Sequence, residues 1–190
     1  MAEAARYFVA MAQNNAWANL RLLNACQQLT AEEFAATRTS FFPSIQATLN
    51  HILVVDWFYV DALEGGSLGP KAWANEIPYP YCGDLKLAQA AVDQRLIDFC
   101  QTLDAGKLES EARMNRDSHV QVERVDRTLL HLFEHQVHHR GQAHAMLAGT
   151  GVKPPQLDEF FMASDSRFRT AEFEELGWED DAIWRGLSTK

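Results

Sequence analysis

The sequence predicts an all-α fold, a bundle of long helices, and three observations predict it. Four segments space their apolar residues at the helical period. Three of those segments run into glycine. The chain of 190 residues is 47 % hydrophobic, enough for one buried core.

The first pattern runs from about Ala4 to Leu29, where Phe8, Met11, Ala12, Leu22, Leu23 and Leu29 recur on one side. The second runs from about Ser44 to Leu63 and stops before Gly65-Gly66. Ser40 or Ser44 supplies its cap, and Pro43 suits a first turn. It is apolar nearly all round, which predicts a central helix. The third spans about Asp84 to Leu103, with Asp84 as candidate cap and Gly106 beyond its end. The fourth spans about Arg124 to Leu147 and ends before Gly149-Thr150-Gly151. Between the last two, Glu111 to Glu123 centres on the turn-like Asn115-Arg116-Asp117-Ser118 and predicts a short hairpin.

Two stretches differ. Gly65 to Gly83 is rich in glycine, proline and aromatics and reads as a long ordered loop over one end of the bundle. From Pro154 onward the tail carries Phe160, Phe161, Phe168, Phe173, Trp178 and Trp184, too apolar for disorder. It is expected to pack back on the bundle or on a second subunit. The whole reads as one helical domain, 1–190, with its core at about 4–150 and an extension at 151–190.

Lys and Arg total 17 against 26 Asp and Glu, a net charge of −9, and the basic residues form no stripe. That balance argues against nucleic acid and anionic membranes as partners. Cys26, Cys82 and Cys100 are widely spaced with no CxxC, the pattern of reduced thiols. The first residues lack a basic segment followed by an apolar one, and no apolar run approaches the roughly 18 residues of a membrane span. A soluble cytoplasmic protein is expected.

The strongest chemical signal is histidine. Five of seven histidines lie between positions 131 and 144: His131, His135, His138, His139 and His144. Neutral imidazole binds zinc, nickel, iron and copper. Two histidines four apart on a helix set their Cβ atoms roughly 5–6 Å apart, close enough for one ion. Leu129, Leu132, Phe133, Ala143 and Leu147 define the core side of the fourth helix. His139 falls at its edge with His135 next to it, while His131 and His138 fall further round. Periodicity therefore favours His135 with His139. A third ligand must come from another helix, and His51, mid-helix on a face with Ala47, Val55, Phe58 and Ala62, is the candidate. A histidine buried there needs a partner for its ring nitrogens. A metal would serve, and so would a water or a carbonyl. One HxxxH arises by chance, and a lone buried histidine is usually a satisfied core residue. Only the two together point to a metal.

Other motifs are poorer. The stretch EHQVHH has Gln136 where HExxH needs glutamate. Gly65-Gly66-Ser67-Leu68-Gly69 lacks the Lys-Ser/Thr of a phosphate loop, no GxSxG occurs, and the Trp and Tyr residues of the first two helices read as core. His119, His131, His138 and His144 read as surface or supporting residues.

Three segments, Asn15–Leu23 (NAWANLRLL), Ser40–Asp56 (SFFPSIQATLNHILVVD) and His131–Leu147 (HLFEHQVHHRGQAHAML), together with Pro154–Asp158, resemble the DinB (damage-inducible) family, also described with the YfiT-like bundles. This family is unrelated to the lesion-bypass polymerase of the same name. The resemblance runs to about Phe161. It implies a four-helix bundle, commonly a homodimer, with His51, His135 and His139 as ligands of a divalent metal, zinc or nickel foremost and iron or manganese next. Some relatives transfer low-molecular-weight thiols, and others resemble metal-dependent hydrolases or isomerases. The reading that follows is a metal-dependent hydrolase or thiol transferase acting on a small molecule, with Asp56, Tyr59 and Glu134 as candidate orienters or proton carriers. The alternative is a stress-response protein that binds a metal or small ligand without turnover.

Overall fold

The structure, a computed structural model, describes residues 3–184. Its frame is four long helices, α1 (Glu3–Cys26), α3 (Ile45–Leu63), α4 (Cys82–Gln101) and α6 (Val125–Leu147), with the short helices α2 (Ala31–Ala35) and α5 (Ala105–Glu109) in the connections. Helix α1 packs on α4 and α6, and α3 packs on the same two helices, so the four close a ring around one core. Leu22, Ile45, Ile52, Leu53, Leu85, Leu96 and Leu129 are all but completely buried there. Each such side chain contributes about 1.5–3 kcal/mol of transfer free energy.

The ends of these helices follow local chemistry. Ser44 caps α3, its hydroxyl accepting from the Ala47 N–H at 3.0 Å. Pro43 therefore precedes the cap and lies outside the first turn. Gly65 terminates α3 at φ 84°, a conformation that glycine adopts without a Cβ penalty. Asp84 does not cap α4. That helix begins two residues earlier, after Tyr81 in extended conformation, and leaves Asp84 in its first turn where an acid favours the helix dipole. Gly106 is not a terminator either; it sits inside α5, which Asp104 caps. The expected hairpin is present: β1 (Glu111–Asn115) pairs antiparallel with β2 (Val120–Arg124) around a turn in which Asp117 takes φ 67°.

The Gly65–Gly83 segment contains a 3-10 turn, Gly69–Trp73, packed against α3 and β1. The tail forms α7 (Thr170–Leu176) and α8 (Asp180–Trp184), both against α1. Phe161 and Phe173 close over Trp17. Arg169 is 1 % exposed and donates to Glu159 at 3.1 Å and Asp180 at 2.6 Å, pinning three pieces of tail to one another. Arg21 of α1 reaches Glu172 at 2.7 Å. The tail thus packs back on its own bundle. Residues 185–190 of the predicted extension lie outside the described part. Of the aromatics expected in the core, Tyr7 is 52 % exposed. Among the described residues no helix is long and apolar enough to cross a membrane, and all three cysteines are free.

Candidate metal centre

Helices α3 and α6 run antiparallel, so a residue early in α3 faces one late in α6. His51 thereby meets His135 and His139 across the groove, and one ring nitrogen from each of the three lies within 4.8 Å of the others. The Nε2 atoms of His51 and His135 stand 3.0 Å apart. Two nitrogens on one tetrahedral ion with bonds of about 2.0–2.1 Å stand roughly 3.3 Å apart, so this pair is already spaced for a shared cation.

The third ring is aimed by its helix neighbour. His139 is 7 % exposed, and its Nδ1 lies 2.9 Å from Gln142 Oε1. With that N–H donated to the amide oxygen, Nε2 is the nitrogen left with a lone pair for a metal. His135 Nδ1 is buried without a hydrogen-bond partner among the described residues, which leaves Nε2 as the working nitrogen of that ring.

Electrostatics keeps the rings neutral. Burial, and then the neighbouring His139, push His51 down to about 4; burial and the other histidines push His135 down to about 3. Burial also lowers His139. At neutral pH three unprotonated imidazoles converge, so an entering cation has no protons to displace. The residues present fit a divalent metal in donor type, spacing and protonation.

One side of the site is a room. A cavity of about 380 Å³ opens beside His51, walled by Phe42, Val54, Val55, Trp73 and Glu76. The sequence placed Ala47 and Val55 on the apolar face of His51, which was expected to be buried. Both line this cavity instead, and His51 is half-buried. The Phe42 ring packs 4.3 Å from His51, while Phe41, 78 % exposed, stands 6.4 Å from His139.

The remaining candidates separate. Asp56 is buried, lies outside the three-histidine cluster, and is tied to α6 by Gln136. Tyr59 lies further along α3, its ring centre 5.3 Å from that of His131 and inclined to it at 60°. Glu134 is on the exposed side of α6. Neither Tyr59 nor Glu134 joins the three-histidine cluster. His119, His131 and His138 are exposed, and His144 bonds the Pro155 carbonyl at 2.8 Å.

Sequence reasoning missed a second constellation. Asn15 and Asn19 of α1, Asp56 of α3, Gln89 and Asp93 of α4, and Gln136 and Arg140 of α6 are at most 5 % exposed and form one network. Asn15 and Asn19 each donate to Asp93 at 3.0 Å. Gln89 bridges Asp56 at 2.7 Å and Asp93 at 3.1 Å. Gln136 donates to Asp56 at 2.8 Å, and Arg140 donates to the side-chain oxygens of Asn15 and Asn19. Three of the helices give polar pairs four apart. Gln136 and Arg140 each directly follow a site histidine, so the network holds the turn of α6 that carries His135 and His139.

Burial raises both acids, Asp56 to about 8, with the Asp93 charge adding to the shift, and Asp93 to about 6. Asp56 is thus the neutral member, and Asp93 is the anion that faces Arg140. Turning the Gln136 amide over would let Oε1, otherwise buried without a partner, accept the Asp56 proton. A carboxyl whose folded pKa lies above its unfolded value near 3.9 contributes full stability below that value. It loses stability as pH rises through the folded pKa. Asp56→Asn mimics the neutral acid. Relative to wild type it should gain on the order of a few kcal/mol between pH 6.5 and 9 in urea unfolding of chelator-treated protein. The histidines do not enter this window, because their lowered pKa values affect stability only below about 6.5. A gap between the two proteins that stays constant with pH would show that Asp56 is ionised throughout.

A four-helix bundle that carries three convergent imidazoles between two antiparallel helices defines the class: a helical protein with a candidate transition-metal site. The chain belongs to the DinB family, whose family model matches residues 1–174. It is similar to Protein DinB of Bacillus subtilis (strain 168), with 25 % identity over 154 residues, covering 76 % of this chain and 86 % of that protein.

Proposed function

We propose that the protein is a divalent-metal-dependent enzyme that activates water or a thiol on a small-molecule substrate. The observation that carries the reading is the convergence of three neutral imidazoles, one of which, His51, lines a cavity of about 380 Å³. When bound, a zinc-like ion held by three neutral ligands lowers the pKa of a fourth, exchangeable ligand to about 7, or ionises a thiol.

The chain's own residues do the rest. His51, His135 and His139 would hold the ion, and Gln142 fixes the tautomer and ring angle of His139. Phe42 and Trp73 give the cavity side an apolar lining, and a substrate bound there would displace water and strengthen the charge interactions inside. Glu76 lines that cavity and would take or give a proton to a substrate bound there. Zinc or nickel suits the donor set best, with iron or manganese next. A dimer in the cytoplasm, as the family resemblance implies, is part of this proposal.

The test is elemental analysis of the purified protein, followed by a panel of thiol cofactors with electrophiles and of simple esters. One metal per chain and metal-dependent turnover of any panel member is the expected result. Stoichiometric metal with tight ligand binding but no turnover would favour the non-catalytic alternative. Less than a tenth of an equivalent of metal after growth with zinc and nickel would overturn the proposal.

A further inference from the structure

Among the described residues Arg116, like Arg38, Arg140 and Arg167, makes no ion pair with a carboxylate. Arg21, Arg95, Arg113, Arg124, Arg127 and Arg169 each pair with an acidic side chain. Arg116 instead donates through Nη2 to Tyr59 Oη at 3.1 Å and through Nε to Gln121 Oε1 at 2.9 Å, two neutral oxygens, in a chain of net charge −9. Nη1 takes part in neither bond. The guanidinium carbon lies 4.5 Å from the Phe58 ring centre and 5.7 Å from that of Tyr59. A half-buried cation on aromatic faces, with donors to spare, is one half of an anion site.

The fold holds Arg116 in place. It begins the hairpin turn, where its N–H donates to the His119 carbonyl at 2.9 Å. Ala112 and Met114, on the strand leading to it, are each 2 % exposed. A Cβ on Gly69 would meet the Asn115 side chain at 3.0 Å, so the 3-10 turn lies hard against the hairpin tip.

Its position relates it to the histidines. The antiparallel pairing that sets His51 against His135 and His139 also sets Tyr59 against His131. His131 is one turn before His135, roughly 6 Å along the axis, and Tyr59 is two turns beyond His51, roughly 12 Å. Trp73, which lines the cavity beside His51, packs 4.8 Å from Phe58, the ring under Arg116. Contacts therefore link the cavity to the guanidinium: Trp73 lines it, Phe58 is buried beneath Trp73, and Arg116 lies on Phe58.

We propose that Arg116, with Tyr59 Oη and His131 beside it, binds the anionic group of a small organic substrate whose reacting atom sits at the three histidines. The inference rests on the metal reading for the place of the reacting atom, and it narrows the substrate to one with a carboxylate or phosphate roughly 6–12 Å from that atom. Nη1 supplies the second donor of a two-point bond to such a group.

The test compares 5-mercaptopentanoate with the neutral 5-mercaptopentanol, titrated calorimetrically into zinc-loaded full-length protein. The acid should bind about 10–100-fold more tightly, as a charge-assisted hydrogen bond predicts. Arg116→Met should erase that preference, Arg116→Lys should keep part of it, and Tyr59→Phe should weaken it, all with unchanged zinc content and thermal unfolding. Equal binding of acid and alcohol to the wild type, or a preference that survives Arg116→Met, overturns the inference and leaves the metal reading standing. If the protein takes up no zinc, inorganic phosphate is titrated into the metal-free chain. Binding that Arg116→Met abolishes supports the anion site while the metal reading fails; no binding to the wild type overturns both.

Discussion

Alanine at position 51 should leave the protein folded and strip it of stoichiometric metal. His51 is the one ligand from α3, and without it the remaining pair from α6 is the two-point i, i+4 arrangement that binds weakly. The loss of affinity should exceed the roughly 10–100-fold attributed to removal of a single supporting hydrogen bond. That smaller value is the expectation for Gln142→Ala, which frees the His139 ring without removing a ligand. Competition with a chromophoric chelator measures both, and their ranking is the point: Gln142→Ala below His51→Ala. Chelation should also lower the unfolding temperature of the wild type and leave that of His51→Ala unchanged. At free metal 100 to 1,000 times Kd, mass action stabilises by about 2.7–4.1 kcal/mol, or roughly 5–15 °C in a chain of this length. Full metal retention by His51→Ala would remove the three-histidine site from consideration.

The largest stability effect is expected from Arg140→Met. Arg140 is 5 % exposed and is the only cation in the buried network among the described residues; burial lowers its pKa to about 10, against the pull of Asp93 and Asp56. Removing it leaves Asp93 ionised in the core with amide donors alone and frees the side-chain oxygens of Asn15 and Asn19. Removing one partner from a buried charge arrangement costs about 3–5 kcal/mol, so unfolding should fall by roughly 10 °C or more. Asp93→Asn added to Arg140→Met removes the stranded charge and should restore part of the loss. The sign of that coupling, read from a double-mutant cycle in urea, separates an electrostatic network from simple loss of packing. Additive effects would show that Arg140 acts only as filler. Because Arg140 follows His139 directly, the single variant should also bind metal less tightly than wild type.

The site was partly legible because histidines four apart on a helix point the same way whatever the helix packs against. The period of α6 also separated His135 and His139 from His138, which is exposed. The buried network was not legible. Asn15/Asn19, Gln89/Asp93 and Gln136/Arg140 are polar pairs at helical spacing, and a polar pair four apart ordinarily marks a solvated face. Arg116 was hidden for a related reason: the hairpin turn was evident, but nothing in a turn tells which side chain folds inward over an aromatic ring.

The sequence by itself determined the local geometry: the four helices, a serine cap at Ser40 or Ser44 of which the structure uses Ser44, the Gly65 stop, the hairpin turn, and the register of His135 with His139. Backbone sterics and hydrogen bonding act over a few residues, so their signals are written in neighbouring letters. The tertiary structure decided what crosses between helices. It carried His51 over 84 positions of chain to His135, turned seven polar side chains inward, and opened a cavity where periodicity indicated core. Those outcomes depend on which helix faces meet, and that is fixed only when the whole apolar surface is buried at once.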